Sequence, residues 1–174
     1  VNLVIICLPV LWAVARHTLS VSVIHIYSSN ITNPHEDFFP LTLEGQIKKA
    51  GVFPAHIYFR DPVKVLWNTP PSKDRPMREV MLGTFPLERV GVAAGHARIK
   101  QVSRFNITDV PAFTEFTKYM LTQEEFTWRL QCDNVHIEAF SFLPTFENLP
   151  MTKDVVFKGM DNFKDCLLYT SDAA

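Results

Sequence analysis

The side chains in this chain that could do chemistry are six histidines, three cysteines and eighteen carboxylates, and their spacing decides what is open to them. His17, His25, His35, His56, His96 and His136 are dispersed. No H-E-x-x-H, C-x-x-C or C-x-x-H pair places two metal ligands on one helix face or one tight turn. His25 interrupts an apolar alternation and is expected to be a hydrogen-bonded, partly buried histidine. His136 falls on the predicted outer face of its strand, and His35-Glu36-Asp37 reads as a solvated turn. Three cysteines make no disulfide framework: Cys7 lies in an apolar N-terminal run, Cys132 on a core-facing row, and Cys166 among the last nine residues. Glu124 and Glu125 are adjacent, so an extended strand would turn them to opposite sides, poor geometry for paired acid/base work. Gly91-Val-Ala-Ala-Gly95 lacks the Lys-Ser/Thr of a phosphate loop, a β pattern follows it, and no G-x-S-x-G elbow occurs. No catalytic residue, metal site or cofactor site is expected. The polar motifs that remain are two N-x-T glycosylation acceptors, at Asn30 and Asn106.

The elements that would position these residues are organised around Phe105 to Phe140. Asp109 can cap a helix by accepting from orphan N–H groups of the first turn, and Pro111 fits that turn because a missing N–H costs nothing there. Val110, Phe113, Phe116 and Met120 draw an apolar stripe at helical spacing, with Thr114, Glu115 and Lys118 opposite. The period then changes to two: Phe126, Trp128, Leu130 and Cys132 alternate with Thr127, Arg129 and Gln131. Asp133-Asn134 reads as a turn, with Val135, Ile137 and Ala139 alternating on its far side. The pattern predicts a short amphipathic helix across one end of a β-sandwich, with Phe116 plugging that end against Trp128 and Leu130.

The rest of the chain reads as strands. Val21 to Tyr27, Leu41 to Lys48, Val80 to Leu82, Pro86 to Val92, His96 to Phe105 and Val155 to Phe157 are strand-like, with Gly51 closing the second. His56 to Trp67 is broken at Asp61-Pro62, which predicts an edge strand or a bulge. Residues 69–76 (TPPSKDRP) form a loop too short to link domains. Eight or so short strands and one helix predict a mainly β chain with a sandwich core. At 174 residues and 47% hydrophobic content, one core is accommodated and two are not. A formal charge of -1 gives no electrostatic case for nucleic acid. Of fourteen phenylalanines, Phe38, Phe39, Phe140, Phe142 and Phe146 lie beside prolines in expected loops, where they could dip into a bilayer interface or cover a partner.

Both ends of the chain carry special readings. Val1 to Ala15 is apolar except for Asn2. Fifteen helical residues rise only about 22 Å, short of a hydrocarbon core of roughly 30 Å. A buried core helix or a signal-peptide core is therefore open. A membrane span truncated at its start is favoured, because the run begins at the first residue, Trp12 precedes Arg16-His17 in an interface-like order, and no convincing cleavage site follows. The last nine residues, CLLYTSDAA, match in one frame the translation of a transposon mosaic-end adapter used in sequencing-library preparation. They are read as adapter rather than native chain.

GHARIKQ (95–101), FNITD (105–109), AFTEFTKYMLTQEEFTWRL (112–130) and KGMDNF (158–163) resemble a fungal family known as a domain of unknown function. The resemblance implies one transmembrane helix followed by lumenal β-sandwich domains of the late-embryogenesis-abundant (LEA) type, with some members at the vacuole membrane. It implies no catalytic residues. The domain reading is a truncated transmembrane anchor at 1–17, an LEA-like β-sandwich at 18–165 and adapter sequence at 166–174. The expected function is a non-enzymatic, single-pass module, tethered to an endomembrane by its N-terminal helix, whose lumenal sandwich binds a protein or lipid. The alternatives are a structural or stress-protective role and, behind it, a hydrolase. Against a stress-protective role, 20% charge with strong patterning describes a folded domain rather than a hydrophilic disordered chain.

Overall fold

The computed structural model describes residues 2–51, 53–139 and 145–163, with the side chains of all of these except 2–8 and 163. The elements run α1 (Asn2–Val21), β1 (Val23–Ile31), β2 (Phe38–Lys48), β3 (Ala55–Phe59), β4 (Val63–Asn68), β5 (Glu79–Phe85), β6 (Val90–Ala93), β7 (His96–Ile107), α2 (Val110–Thr122), β8 (Glu125–Glu138) and β9 (Phe146–Lys158). A 3-10 turn follows at Asp161–Phe163. The chain is mainly β. The segment expected as adapter, and Phe140 and Phe142 among the loop aromatics, lie outside the described residues.

Two long strands organise the sandwich. β7 is paired along one edge by β2, from Phe38 opposite Asn106 to Lys48 opposite His96, and β1 extends that layer. β8 is paired along one edge by β9. Their other edges are shared between short strands: β7 takes β6 near its start and β5 near its end, while β8 takes β4 at 129–131 and β3 at 135–138. Because β4 pairs β5 and β3 pairs β6, hydrogen bonding passes from one long strand to the other around a common core. All of these ladders are antiparallel, so one face of each strand turns inward and period-two burial follows. Phe39, Leu41, Leu43, Gly45 and Ile47 face the core from β2, and Leu149, Met151, Val155 and Phe157 from β9.

α2 closes one end. The Asp109 carboxylate accepts from the backbone N–H of Ala112 at 2.9 Å, and Pro111 occupies the first turn. The buried row is Ala112 and Phe116, with Phe113, Tyr119 and Met120 half-buried against it. Val110, included in the stripe from its spacing, is exposed at the first position of α2. Phe116 meets Trp67 edge-on at 5.4 Å between centroids, Phe126 edge-on at 5.2 Å and Trp128 at 5.6 Å. Phe113 joins Phe39 and Phe105, and Phe105 stacks on Trp128. Tilted and edge-to-face pairs at these distances add to the area burial.

The far end of α2 is held by the segment that leaves β9. Gly159 N–H donates to the Glu124 carbonyl at 2.7 Å, Met160 N–H to Met120 at 3.1 Å, and Asp161 N–H to Gln123 at 3.0 Å. These bonds satisfy carbonyls that a helix end leaves without partners. A Cβ at Gly159 would collide with the backbone oxygens of Gln123 and Met120, so only glycine lets the chain pass that close.

Several sequence expectations are corrected. Asp133-Asn134 is not a turn: β8 runs through it, and the burial row shifts phase from Cys132 to Val135 where the β9 register slips. A broken alternation marks a bulge as readily as a turn. Pro62 lies on neither an edge strand nor a bulge. It separates β3 from β4, which line the same edge of β8, because its missing N–H ends one ladder before the next begins. Phe39 and Phe146 are strand residues buried in the core, while Phe38 stacks on His35 and lies under Arg104. His25 is exposed, since it falls on the outer row of β1. β9 is far longer than Val155–Phe157. Pro150 is tolerated because, among the described residues, β9 pairs only with β8.

Candidate functional site

α2 seals its end with packed rings, so the functional question moves to the opposite end, where the chain enters. α1 continues past residue 17 to Val21 and passes into β1 without a linker. Leu11, Ala15 and Leu19 recur at helical spacing and pack on the sandwich, with Leu19 buried. On the other side, Val10 is 59% exposed and Val14 55%, with Trp12 beside them and the Arg16 guanidinium 5.5 Å from the Trp12 ring. Among the described residues, no helix is long and apolar enough to cross a membrane.

The helix end is built with care for its carbonyls. Ser20 Oγ donates to His17 at 2.7 Å, Ser22 N–H to Thr18 at 3.0 Å and Ser22 Oγ to Leu19 at 2.8 Å. Lys153 Nζ then donates to the carbonyl oxygens of Ser20 at 2.7 Å and Ser22 at 2.5 Å. An ammonium at a helix C-terminus also faces the negative end of the helix dipole. Lys153 belongs to the inward row of β9, between Met151 and Val155, and burial holds its pKa below that of an ordinary lysine. It was not singled out from the sequence. A charged residue at a core position in a period-two row was the available signal.

Beneath this clamp lies an apolar cavity of about 20 Å3 lined by residues that include Leu19, Ile24, Ile47, Ile57 and Met151. That is room for about one water and none for a lipid chain. The turns around it are tight. Lys49 and Gly51 in the turn after β2, and Ala94 and Gly95 between β6 and β7, have positive φ, and Ala50 N–H donates to the Gly95 carbonyl at 3.0 Å.

The polar groups singled out from the sequence do not converge. His136 faces outward yet is buried, with Nε2 2.8 Å from Asn134 Oδ1 and Nδ1 3.7 Å from a Glu147 carboxylate oxygen. Tyr58, opposite it on β3, donates to Glu138 at 3.0 Å. Among the described residues, no three His, Cys, Asp or Glu side chains form a group able to hold a metal. Cys132 donates weakly to the Asp61 carbonyl, and burial pushes its thiol pKa up, away from the reactive thiolate. Arg129 donates to Asp154 in two bonds, at 2.8 and 3.3 Å, and to Glu79 at 2.7 Å, fastening β8 to β9 and to β5 at the surface. Asn30 is exposed near the end of β1. Asn106 is half-buried in β7 and accepts from Arg104 Nε at 3.1 Å. Of the residues expected to form the core of this unit, Phe116, Phe126, Trp128 and Leu130 are buried, and Phe113 and Met120 are half-buried against the core.

Residues 81–172 match the family model described as a protein of unknown function, DUF3712. The chain belongs to this family. The DUF3712 match takes in β7, α2, β8, β9 and the segment leaving β9, and within it Asp109, Phe116, Trp128 and Gly159 form and cap the α2 end. No curated protein matches the chain significantly. A solved structure, described as the crystal structure of a protein from Archaeoglobus fulgidus, aligns with 76% of this DUF3712 chain and 96% of its own chain, at 12% identity and a TM-score of 0.35.

Proposed function

We propose that this protein is a non-enzymatic, membrane-tethered module whose LEA-type sandwich, on the lumenal side of an endomembrane such as the fungal vacuole, binds a partner through its outer surface. The observation that carries the reading is the junction. An apolar helix, with Val10, Trp12 and Val14 still turned outward, is clamped to the sandwich by Leu19 and Lys153. Apolar side chains on the outside of a helix call for cover, and a bilayer provides it. The 20 Å3 cavity beneath the clamp is too small for a lipid chain, and the larger depressions of about 500 and 590 Å3 lie on the outer surface, where the reading puts a protein partner. The buried thiol of Cys132 and the neighbours of His136 give no support to a nucleophile and base poised together. The lumenal and vacuolar parts rest on the family resemblance and on exposed Asn30.

The test uses the full-length reading frame expressed in a fungal host. The protein is expected to stay with membranes through alkaline carbonate extraction, and endoglycosidase is expected to shift its mobility in the wild type but not in Asn30→Gln. Release by carbonate would overturn the tether. Digestion by a protease added from the cytosolic side, with no mobility shift, would reverse the orientation.

A further inference from the structure

We infer that the α1 end of the sandwich rests directly on the bilayer surface, with the β2–β3 turn carrying Lys48, Lys49 and Phe53 as its contact. The inference rests on the membrane-tether reading and adds the pose of the body. Three observations lead to it. The first is the missing spacer: Leu11 and Ala15 already pack on the body, and α1 ends one residue before β1 begins. A body seized that early cannot stand off on a flexible stalk.

The second is depth. Trp12, with Arg16 beside its ring, has the character of a residue at the hydrocarbon boundary. Thr18 lies six residues further on, about 9 Å along a helix. The polar layer on each side of a bilayer is roughly 5–8 Å thick, the difference between total and hydrocarbon thickness shared between two faces. The Lys49–Gly51 and Ala94–Gly95 turns border the same depression as Thr18 and Val21, so they stand at the outer edge of the headgroup layer, from which a lysine side chain reaches into it.

The third is chemistry. Residues 1–35, 45–60 and 89–108, which supply the helix and both turns, contain no Asp or Glu. Lys48 and Lys49 are exposed and enter no ion pair among the described residues. Phe53 is 63% exposed in the same turn. On the strands that run to this end, Glu44 pairs with Lys100 at 3.1 Å, Glu138 accepts from Tyr58 and Glu147 lies 3.7 Å from His136. Lysines beside an exposed aromatic suit the headgroup layer of either leaflet: the ammonium groups meet lipid phosphates, anionic lipid strengthens that attraction, and the ring takes the interface.

The test places a nitroxide at Ala94→Cys in the adjacent turn, at Ser72→Cys in the β4–β5 loop by the α2 end, and at Val10→Cys in α1. The background carries Cys7→Ser and Cys166→Ser, and the buried Cys132 is retained. The full chain is reconstituted into phosphatidylcholine vesicles with and without phosphatidylserine. Collision with oxygen is compared with collision with a water-soluble nickel chelate. Position 94 is expected to show an oxygen-to-nickel ratio several-fold above that at 72, higher still with phosphatidylserine. The ratio should fall to the position-72 value when Lys48→Glu, Lys49→Glu and Phe53→Ser are combined. Equal ratios at 94 and 72 with position 10 still shielded would overturn the contact while leaving the tether standing. Loss of shielding at position 10 as well would bring down the tether and this inference together.

Discussion

Lys153 Nζ lies 2.5 Å from the carbonyl oxygen of Ser22, across a separation of 131 residues. A charged side chain in a row otherwise given to Leu149, Met151, Val155 and Phe157 therefore ends the helix that leads into the sandwich. Lys153→Met keeps the length and loses the donors, leaving the Ser20 and Ser22 carbonyls without this partner. Hydrogen bonds to a charged group contribute about 1.5–3 kcal/mol, partly offset here by relief of the buried charge, so a loss of about 1–2 kcal/mol is expected at neutral pH. The pH dependence has a definite sign. The folded state holds the lysine pKa below its ordinary value, so the unfolded chain binds more protons between the two values. Stability from this group should rise as pH climbs through that alkaline window. The gap between wild type and Lys153→Met in denaturant midpoint should widen there, and a gap that narrows would count against a buried, desolvated ammonium.

Gly159→Ala tests the seam between β9 and α2. The added methyl meets backbone oxygens of Gln123 and Met120, which cannot swing aside as a side-chain tip can. Overpacking of this kind costs about 1–3 kcal/mol. The damage should appear first in hydrogen exchange of the Met160 and Asp161 amides, which donate to the last turn of α2. Unchanged protection there would show that the segment leaving β9 does not hold the helix.

Asp109→Ala should cost about 1 kcal/mol, the usual loss for an N-cap, while Asp109→Asn should stay within a few tenths because its side-chain oxygen still accepts. The measurement is the unfolding midpoint of each variant. Equal losses in both would mean that the carboxylate matters for charge rather than for its bond to the Ala112 N–H.

What the sequence disclosed follows from the range of the forces involved. The Asp109 cap, the helical row containing Phe116 and the alternation from Phe126 to Cys132 are local patterns, and each could be read within a dozen residues. Lys153 and Gly159 were opaque because their partners, Ser22 and Gln123, lie on other elements. The bulge at Asp133-Asn134 was ambiguous for another reason: a change of phase looks alike whether the strand turns back or slips by a residue. Pro150 and Asn148 hid most of β9, since turn-forming residues on a strand with a free edge carry no penalty a sequence pattern can register. His25 is exposed where partial burial is expected, and His136, on the outer face as expected, is nevertheless covered. The outer face of a strand is exposed or covered according to neighbours such as Tyr58 and Glu147 that come from elsewhere in the chain.

Phe116 offers the sharpest separation of core from binding surface. Its ring touches Trp67, Phe126, Trp128 and Phe113 and is almost wholly buried. Truncating a packed phenylalanine to alanine costs roughly 3–5 kcal/mol once the cavity is included, against about 5–15 kcal/mol that holds a domain together. Glu115, one residue earlier, is exposed on the opposite side of α2, so Glu115→Ala should stay within about 0.5 kcal/mol. If the α2 end also serves as the partner surface, the two variants should part in the opposite sense in a binding assay: Glu115→Ala would weaken association with the fold intact, while Phe116→Ala would lower the denaturation midpoint sharply and lose binding only through unfolding. A Phe116→Ala protein with an unchanged midpoint that no longer associates with membrane or partner would show that α2 is an exposed docking element rather than the plug of the sandwich.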